Sequence, residues 1–165
     1  MIRKKKKFEF PKKIYDKPRI LDENKLVAKY GLKNKKEIWK ADSKVSYFRS
    51  RAKDLITAGQ EEQQIFFRKL NEIGLKISTV ADVLALNKED ILKRRLPTII
   101  HSKGLAKTPR EARQMVVHKR IFINGRAMNV PAYLVKITEE NAISVKPKKE
   151  RKPAQSEQNT EVVEA

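Results

Sequence analysis

The chain has 165 residues, 39 Lys and Arg against 20 Asp and Glu, and a formal charge of +19. Such a field attracts polyanions and opposes a compact state unless a partner neutralises it, so a nucleic acid is the expected counter-charge, with an anionic membrane surface a weaker second. No window approaches the roughly 18 uninterrupted apolar residues of a spanning helix, and the absence of cysteine excludes disulfides, thiolate metal ligands and a cysteine nucleophile.

Residues 1–19 carry nine Lys and Arg against two acids, and Pro11 and Pro18 break helical continuity, so the segment reads as an extended basic arm. Its start, Met1 to Lys7, resembles the charged beginning of a signal peptide, but no apolar stretch follows. The expected location is inside the cell. Residues 20–93 read as helical. Asp22 is placed to cap a helix over Glu23 to Tyr30 that Gly31 ends, and Asp42 or Ser43 to cap a longer one reaching Ala58. Val45, Phe48, Ala52, Leu55 and Ile56 give that longer helix an apolar face. Gln60 to Ile73 repeats the pattern before Gly74, and short helices follow over about Val80 to Leu86 and Lys88 to Arg95, with Thr79 and Asn87 as caps.

Punctuation sharpens from residue 94. Pro97 suits a first helical turn and Gly104 the position after its end. Thr108-Pro109-Arg110-Glu111 has the spacing of a capping box, with Ala112, Met115 and Val116 on the inner face and Arg110, Arg113 and Arg120 near one outer stripe. Ile121-Phe122-Ile123 and Ala127 to Val130 flank Asn124-Gly125, which signals a tight hairpin turn. Further strands are expected at Leu134-Val135 and Ala142 to Val145. Over Arg94 to Arg126 there are nine cations (Arg94, Arg95, Lys103, Lys107, Arg110, Arg113, Lys119, Arg120, Arg126) and one acid, Glu111, a local charge of +8. Residues 147–165 read as a disordered tail, first basic and then, from Ala154, acidic. The fold class is therefore α+β, mainly α: a helical region over 20–93 and a small module of two helices and an antiparallel hairpin over 94–146.

The motifs RRL, GLAKTPREAR, VVHKRIFINGR and NVPAYLV, in that order from Arg94, resemble the small RNA-binding module named after the fourth protein of the small ribosomal subunit. With the basic arm and the helical segment, residues 3–146 are similar to the archaeal branch of that ribosomal-protein family. The resemblance implies a primary rRNA-binding protein that docks on the 5′ domain of small-subunit rRNA at a multi-helix junction and nucleates assembly of the subunit body. It also implies cytoplasmic ribosomes as the location and a contribution to translational fidelity. Neighbouring small-subunit proteins, including the fifth, and mRNA at the channel through which it enters are the implied further partners. The positions on or beside the RNA-facing surface would be Arg94, Arg95, Thr108, Arg110, Arg113, His118, Lys119, Gly125 and Arg126, to which the charge pattern adds Lys103, Lys107 and Arg120. Bacterial members often hold zinc in a cysteine-rich knuckle; this chain has no cysteine, and that site is not carried over.

Arginine suits such a surface because its planar fork meets phosphate bidentately and stacks on bases, while Gly125 lets backbone approach backbone. No metal, cofactor or catalysis is expected. Two histidines are a poor metal cage, and His101 reads as an ordinary surface or packed residue. Glu61-Glu62, Glu89-Asp90 and Glu139-Glu140 read as solvating or first-turn charges. Trp39, Tyr47, Phe48, Phe66 and Phe67 fall at helical spacing and read as core or helix-packing residues rather than base-stacking platforms. Two alternatives stay open: an RNA-binding accessory factor of stress or RNA modification carrying the same module, and a DNA-compacting architectural protein.

Overall fold

The computed structural model describes residues 6–146; the tail from 147 and residues 1–5 lie outside the described residues. The first helix, α1 (Lys17–Tyr30), begins six residues before the expected start because Pro18 occupies its first turn, where a missing N–H is harmless, rather than breaking it. The Asp16 carbonyl accepts from Ile20 N–H at 3.0 Å. Arg19 then ties the arm down, donating to the carbonyls of Lys13 (2.7 Å) and Ile14 (2.9 Å) and to Glu23 (3.1 Å). The described part of the extended arm is held against the helices. Phe8 and Phe10 pack on Trp39, at ring separations of 6.1 and 5.6 Å, and Glu9 N–H donates to the Ser43 hydroxyl at 3.1 Å.

Helix α2 (Lys36–Asp54) also starts early. Asp42 and Ser43 lie inside it, and its apolar stripe runs Ile38, Ala41, Val45, Phe48 and Ala52 to Leu55 at alternating steps of three and four, all buried, while Ile56 is exposed. It ends at Asp54, with turns over 55–58. Tyr47 is likewise exposed rather than core, its ring beside that of Phe48. Helices α3 (Gln60–Glu72), α4 (Val80–Ala85) and α5 (Lys88–Lys93) follow. Asp82 accepts from Ser78 and Thr79 while the Thr79 hydroxyl accepts from Asp82 N–H. The backbone and hydroxyl of Ser78, then those of Thr79, hold the Asp82 carboxyl down at about 2.

Together with Leu70, Val83, Ile91 and Leu92, these elements enclose one apolar core. A second core lies under α6 (Leu96–Ser102), α7 (Pro109–Val117) and a three-stranded antiparallel sheet. That sheet has the order β2-β1-β3, with β1 (Ile121–Ile123) between β2 (Arg126–Met128) and β3 (Ile143–Val145). Ile121 faces Met128 on one side and Val145 on the other. Asn124 and Gly125 both take positive φ, 50° and 76°, which is what a two-residue turn of the expected kind requires. A short helix, α8 (Ile137–Glu140), precedes β3.

Leu134-Val135 forms no strand. Leu134 makes an isolated antiparallel bridge to Arg95, Leu96 N–H donates to the Tyr133 carbonyl at 2.9 Å and Val135 N–H to that of Arg94 at 3.1 Å. Leu134 packs on the first core and Val135 in the second; this crossing is the seam between them. A second joint is Gly31, in the left-handed region at φ +59°, where an added Cβ would meet the Pro109 carbonyl carbon at 2.8 Å and Arg110 N at 2.9 Å. Gly31→Ala therefore combines backbone strain with a backbone clash, and should lower unfolding stability in urea by about 2 kcal/mol.

Candidate nucleic-acid interface

The cation cluster divides into side chains turned inward and side chains turned out. Arg95 is buried, only 6% exposed, and its Nη2 donates to Glu37 at 2.6 Å. Arg113 grips the same carboxylate from α7 with both terminal nitrogens, at 3.0 and 2.7 Å. Glu37 thus joins the first turn of α2 to both sides of the seam. Burial alone would push its pKa up, but hydrogen bonds from Arg113 and Arg95 outweigh that, and the net shift is downward.

Arg94 turns inward the other way. Its Nε donates to the Ile73 carbonyl at the end of α3 (2.7 Å), and its Nη2 to the Val135 carbonyl and to Glu140 (both 3.0 Å). The guanidinium lies on Gly74, where a Cβ would meet it at 2.6 Å. Lys103 donates to the Glu140 carbonyl. Arg94, Arg95 and Arg113, expected on or beside the RNA-facing surface, make these contacts inside the chain: three of the nine cations fasten the two cores together. Glu89 and Glu139-Glu140 are also more than solvating charges. Glu89 accepts from Lys29 (2.8 Å) and Tyr30 (3.0 Å), and Tyr133 donates to Glu139 at 2.6 Å, which with burial pushes its phenol up to about 12.

The outward set is Lys107, Thr108, Arg110, His118, Lys119, Gly125 and Arg126, all exposed, with Arg120 half-exposed. Among the described residues, none of their cations is in an ion pair. Thr108 caps α7 by accepting from Glu111 N–H at 3.2 Å, while the Glu111 carboxylate reaches Lys107 N–H at 2.8 Å, one residue short of the expected return bond. Helix α7 stops at Val117, so Arg120 does not continue the Arg110–Arg113 stripe. His101 stays a local residue, its Nδ1 3.1 Å from the Ala106 carbonyl.

Lys119 adopts φ +56°, where glycine is usual. Its N–H donates to the Val116 carbonyl at 3.0 Å and that of Arg120 to Met115 at 2.9 Å, closing the helix and turning His118, Lys119 and Arg120 toward the hairpin. Glu37, Glu140, Gly31 and Gly74 are the functional positions that sequence reasoning misses. The only local signal for Glu37 is a lone acid in the basic run Lys33 to Lys40.

A two-helix, three-strand unit with free cations along one helix, its C-terminal turn and a hairpin is an RNA-binding type of module, and the S4 domain family matches residues 94–141. The chain is similar to small ribosomal subunit protein uS4 of Methanococcus aeolicus, 46% identical over 82% of this chain and 84% of the relative. The same protein of Methanothermobacter thermautotrophicus is 45% identical over 86% of each chain, and that of Hyperthermus butylicus 43% over 86% of this chain and 84% of the relative. The chain belongs to the family of small ribosomal subunit protein uS4.

Glu37→Gln removes the charge between two arginines, one of them buried, and should cost about 3 kcal/mol in urea unfolding at neutral pH. Because the folded carboxyl titrates below its ordinary value, its contribution is full above about pH 4.5 and disappears as pH falls through the folded pKa. The gap between wild type and variant should be constant from pH 7 to 5 and narrow below. Lys119→Gly, by contrast, relieves left-handed strain and should stabilise by about 1 kcal/mol in the same assay.

Proposed function

We propose that this chain is a non-enzymatic structural constituent of the small ribosomal subunit that binds the 5′ domain of its rRNA at a multi-helix junction and nucleates assembly of the subunit body. The RNA-facing surface is Lys107, Thr108, Arg110, His118, Lys119, Arg120, Gly125 and Arg126, with Lys103 at its margin. The observation that carries this reading is their arrangement: cations that, among the described residues, are free of acids, exposed or half-exposed, and fixed on a capped helix, its C-terminal turn and a tight hairpin. Folded RNA presents phosphates and 2′-hydroxyls over a broad shallow surface, and a rigid spread of cationic donors matches it. Asn124-Gly125 keeps the hairpin tip thin, so backbone as well as Arg126 approaches the RNA.

The organisation we infer is a basic arm over 1–19, a helical domain over 20–93, the RNA-binding module over 94–146 and a tail over 147–165. The helical domain presents the module: Gly31 sets the N-terminal end of α7 against the end of α1, and Glu37 sets the angle of its inner face. In the particle the partners are rRNA and neighbouring small-subunit proteins, the fifth among them, with mRNA near the channel by which it enters. Fidelity of decoding follows from holding that region of the subunit in one shape. The cell compartment is the cytoplasm, with its ribosomes.

The full chain titrated against a folded 5′-domain rRNA fragment should give a log–log salt dependence with slope about −3.5, at roughly 0.7 per phosphate met by Lys107, Arg110, Lys119, Arg120 and Arg126. A flat plot would remove the electrostatic basis of the reading. Arg126→Glu should weaken binding about tenfold more than Lys53→Glu on α2. Equal losses, or equal affinity for duplex DNA in the same salt, would instead show attraction by net charge alone.

A further inference from the structure

Beside the Glu37 hub, α2, α5 and the segment 130–134 enclose a cleft of about 220 Å³. One wall is apolar, formed by Pro131, Ala132 and Leu134 with Ile91; Lys40, Lys44 and Arg113 line the other, together with the Glu37 carboxylate, which is already taken up by Arg95 and Arg113. Two of its cations keep donors unmet among the described residues. Arg95, which also lines the cleft, is 6% exposed and is paired with Glu37 through Nη2, yet its Nη1 is buried and, among the described residues, has no hydrogen-bond partner. Lys44 is half-buried and, among the described residues, forms no ion pair; its ammonium lies 5.8 Å from the centre of the Phe48 ring. Burial depresses its pKa. An unpaired buried donor and a desolvated ammonium are both costly to maintain, and both costs fall when an anionic or acceptor-rich ligand enters.

We propose that this cleft receives one unpaired nucleotide of the bound RNA, its phosphate against Lys40 and Lys44 and its base between Pro131 and Leu134, with a base-edge acceptor directed at Arg95. The inference rests on the RNA-binding reading above and adds a subsite to it. The cleft is smaller than the roughly 300–1,000 Å³ of sites for drug-sized molecules, which suits a single base. Its position supports the choice of occupant: Arg113 forms its wall while Arg110, one turn away on α7, lies on the exposed cationic face. An RNA strand lying along α7 therefore passes the mouth of the cleft. Junctions in folded RNA supply unstacked bases that are splayed into such sites. An apolar wall opposite paired ammonium groups accepts base and phosphate together, in the manner of single-strand binding grooves.

The test uses the full chain and the folded 5′-domain rRNA fragment. Ala132 is exposed at the rim, so Ala132→Trp fills the cleft without disturbing either core. Ala132→Trp should weaken binding about tenfold and Lys44→Gln about fivefold, while Lys53→Gln, exposed on the same helix, should change it less than about twofold. Ultraviolet crosslinking of the wild-type complex should attach a nucleobase within residues 130–134. Crosslinks confined to α7 and the hairpin, with both cleft variants binding like wild type, would overturn the subsite and leave the RNA-binding reading standing. If the variants keep RNA affinity but lose binding of a peptide of alternating Leu and Glu, the cleft serves an acidic protein segment and the nucleotide assignment is wrong. Failure of the wild type to bind the fragment at all would overturn both readings.

Discussion

A chain carrying +19 folds against its own repulsion, and the contact on which its architecture turns is the carboxylate of Glu37 between Arg95 and Arg113. Arg95 sits where two apolar cores meet, too deep for water to stabilise its charge, and without an acid at that depth the seam would hold an uncompensated cation. Glu37 supplies it from the first turn of α2, a position that also favours negative charge because the helix dipole is positive there. The same carboxylate takes Arg113 from α7, so one group fixes the orientation of the module against the helical region.

Acids are deployed sparingly and where they hold elements together. Glu23, which also pairs with Arg19 in its own helix, joins α1 to α2 through Lys35 and Trp39; Glu89 joins α5 to α1; Glu140 joins the module to the end of α3 through Arg94. On the outer side of α7 and the hairpin the acid present among the described residues is Glu111, and its carboxylate is occupied by a backbone N–H. The result is a sorting of like charges: Arg94, Arg95 and Arg113 are paired within the chain, and the outward cations wait for phosphate.

How much of this is legible in the sequence depends on how local the cause is. Helix α7 is legible because cap, proline and buried face coincide within nine residues, and the hairpin because Asn124-Gly125 permits little else. The start of α2 is not, since Lys35-Lys36 carries no cap signature while Asp42-Ser43 imitates one. Pro18 illustrates how one residue type reads two ways: a breaker inside a helix and a good starter at its first turn. The place of β3 on the far edge of β1 depends on pairing across the module, which no short motif encodes. The same distinction divides the interface. Exposed cations announce themselves by density, but Arg95 and Arg113 find their acid 58 and 76 residues away, and only the fold reveals that pairing.

Sharing one carboxylate among three elements also has an evolutionary corollary. Positions 37, 95 and 113 form a closed set: no single replacement leaves the other two content, so among relatives they should either persist together or change as a group. A substitution drifting into the amino-terminal helices at Glu37 would be felt in the carboxyl-terminal half as a tilt of α7, far from where it arose. The two halves of this chain therefore cannot diverge independently, even though each encloses a core of its own.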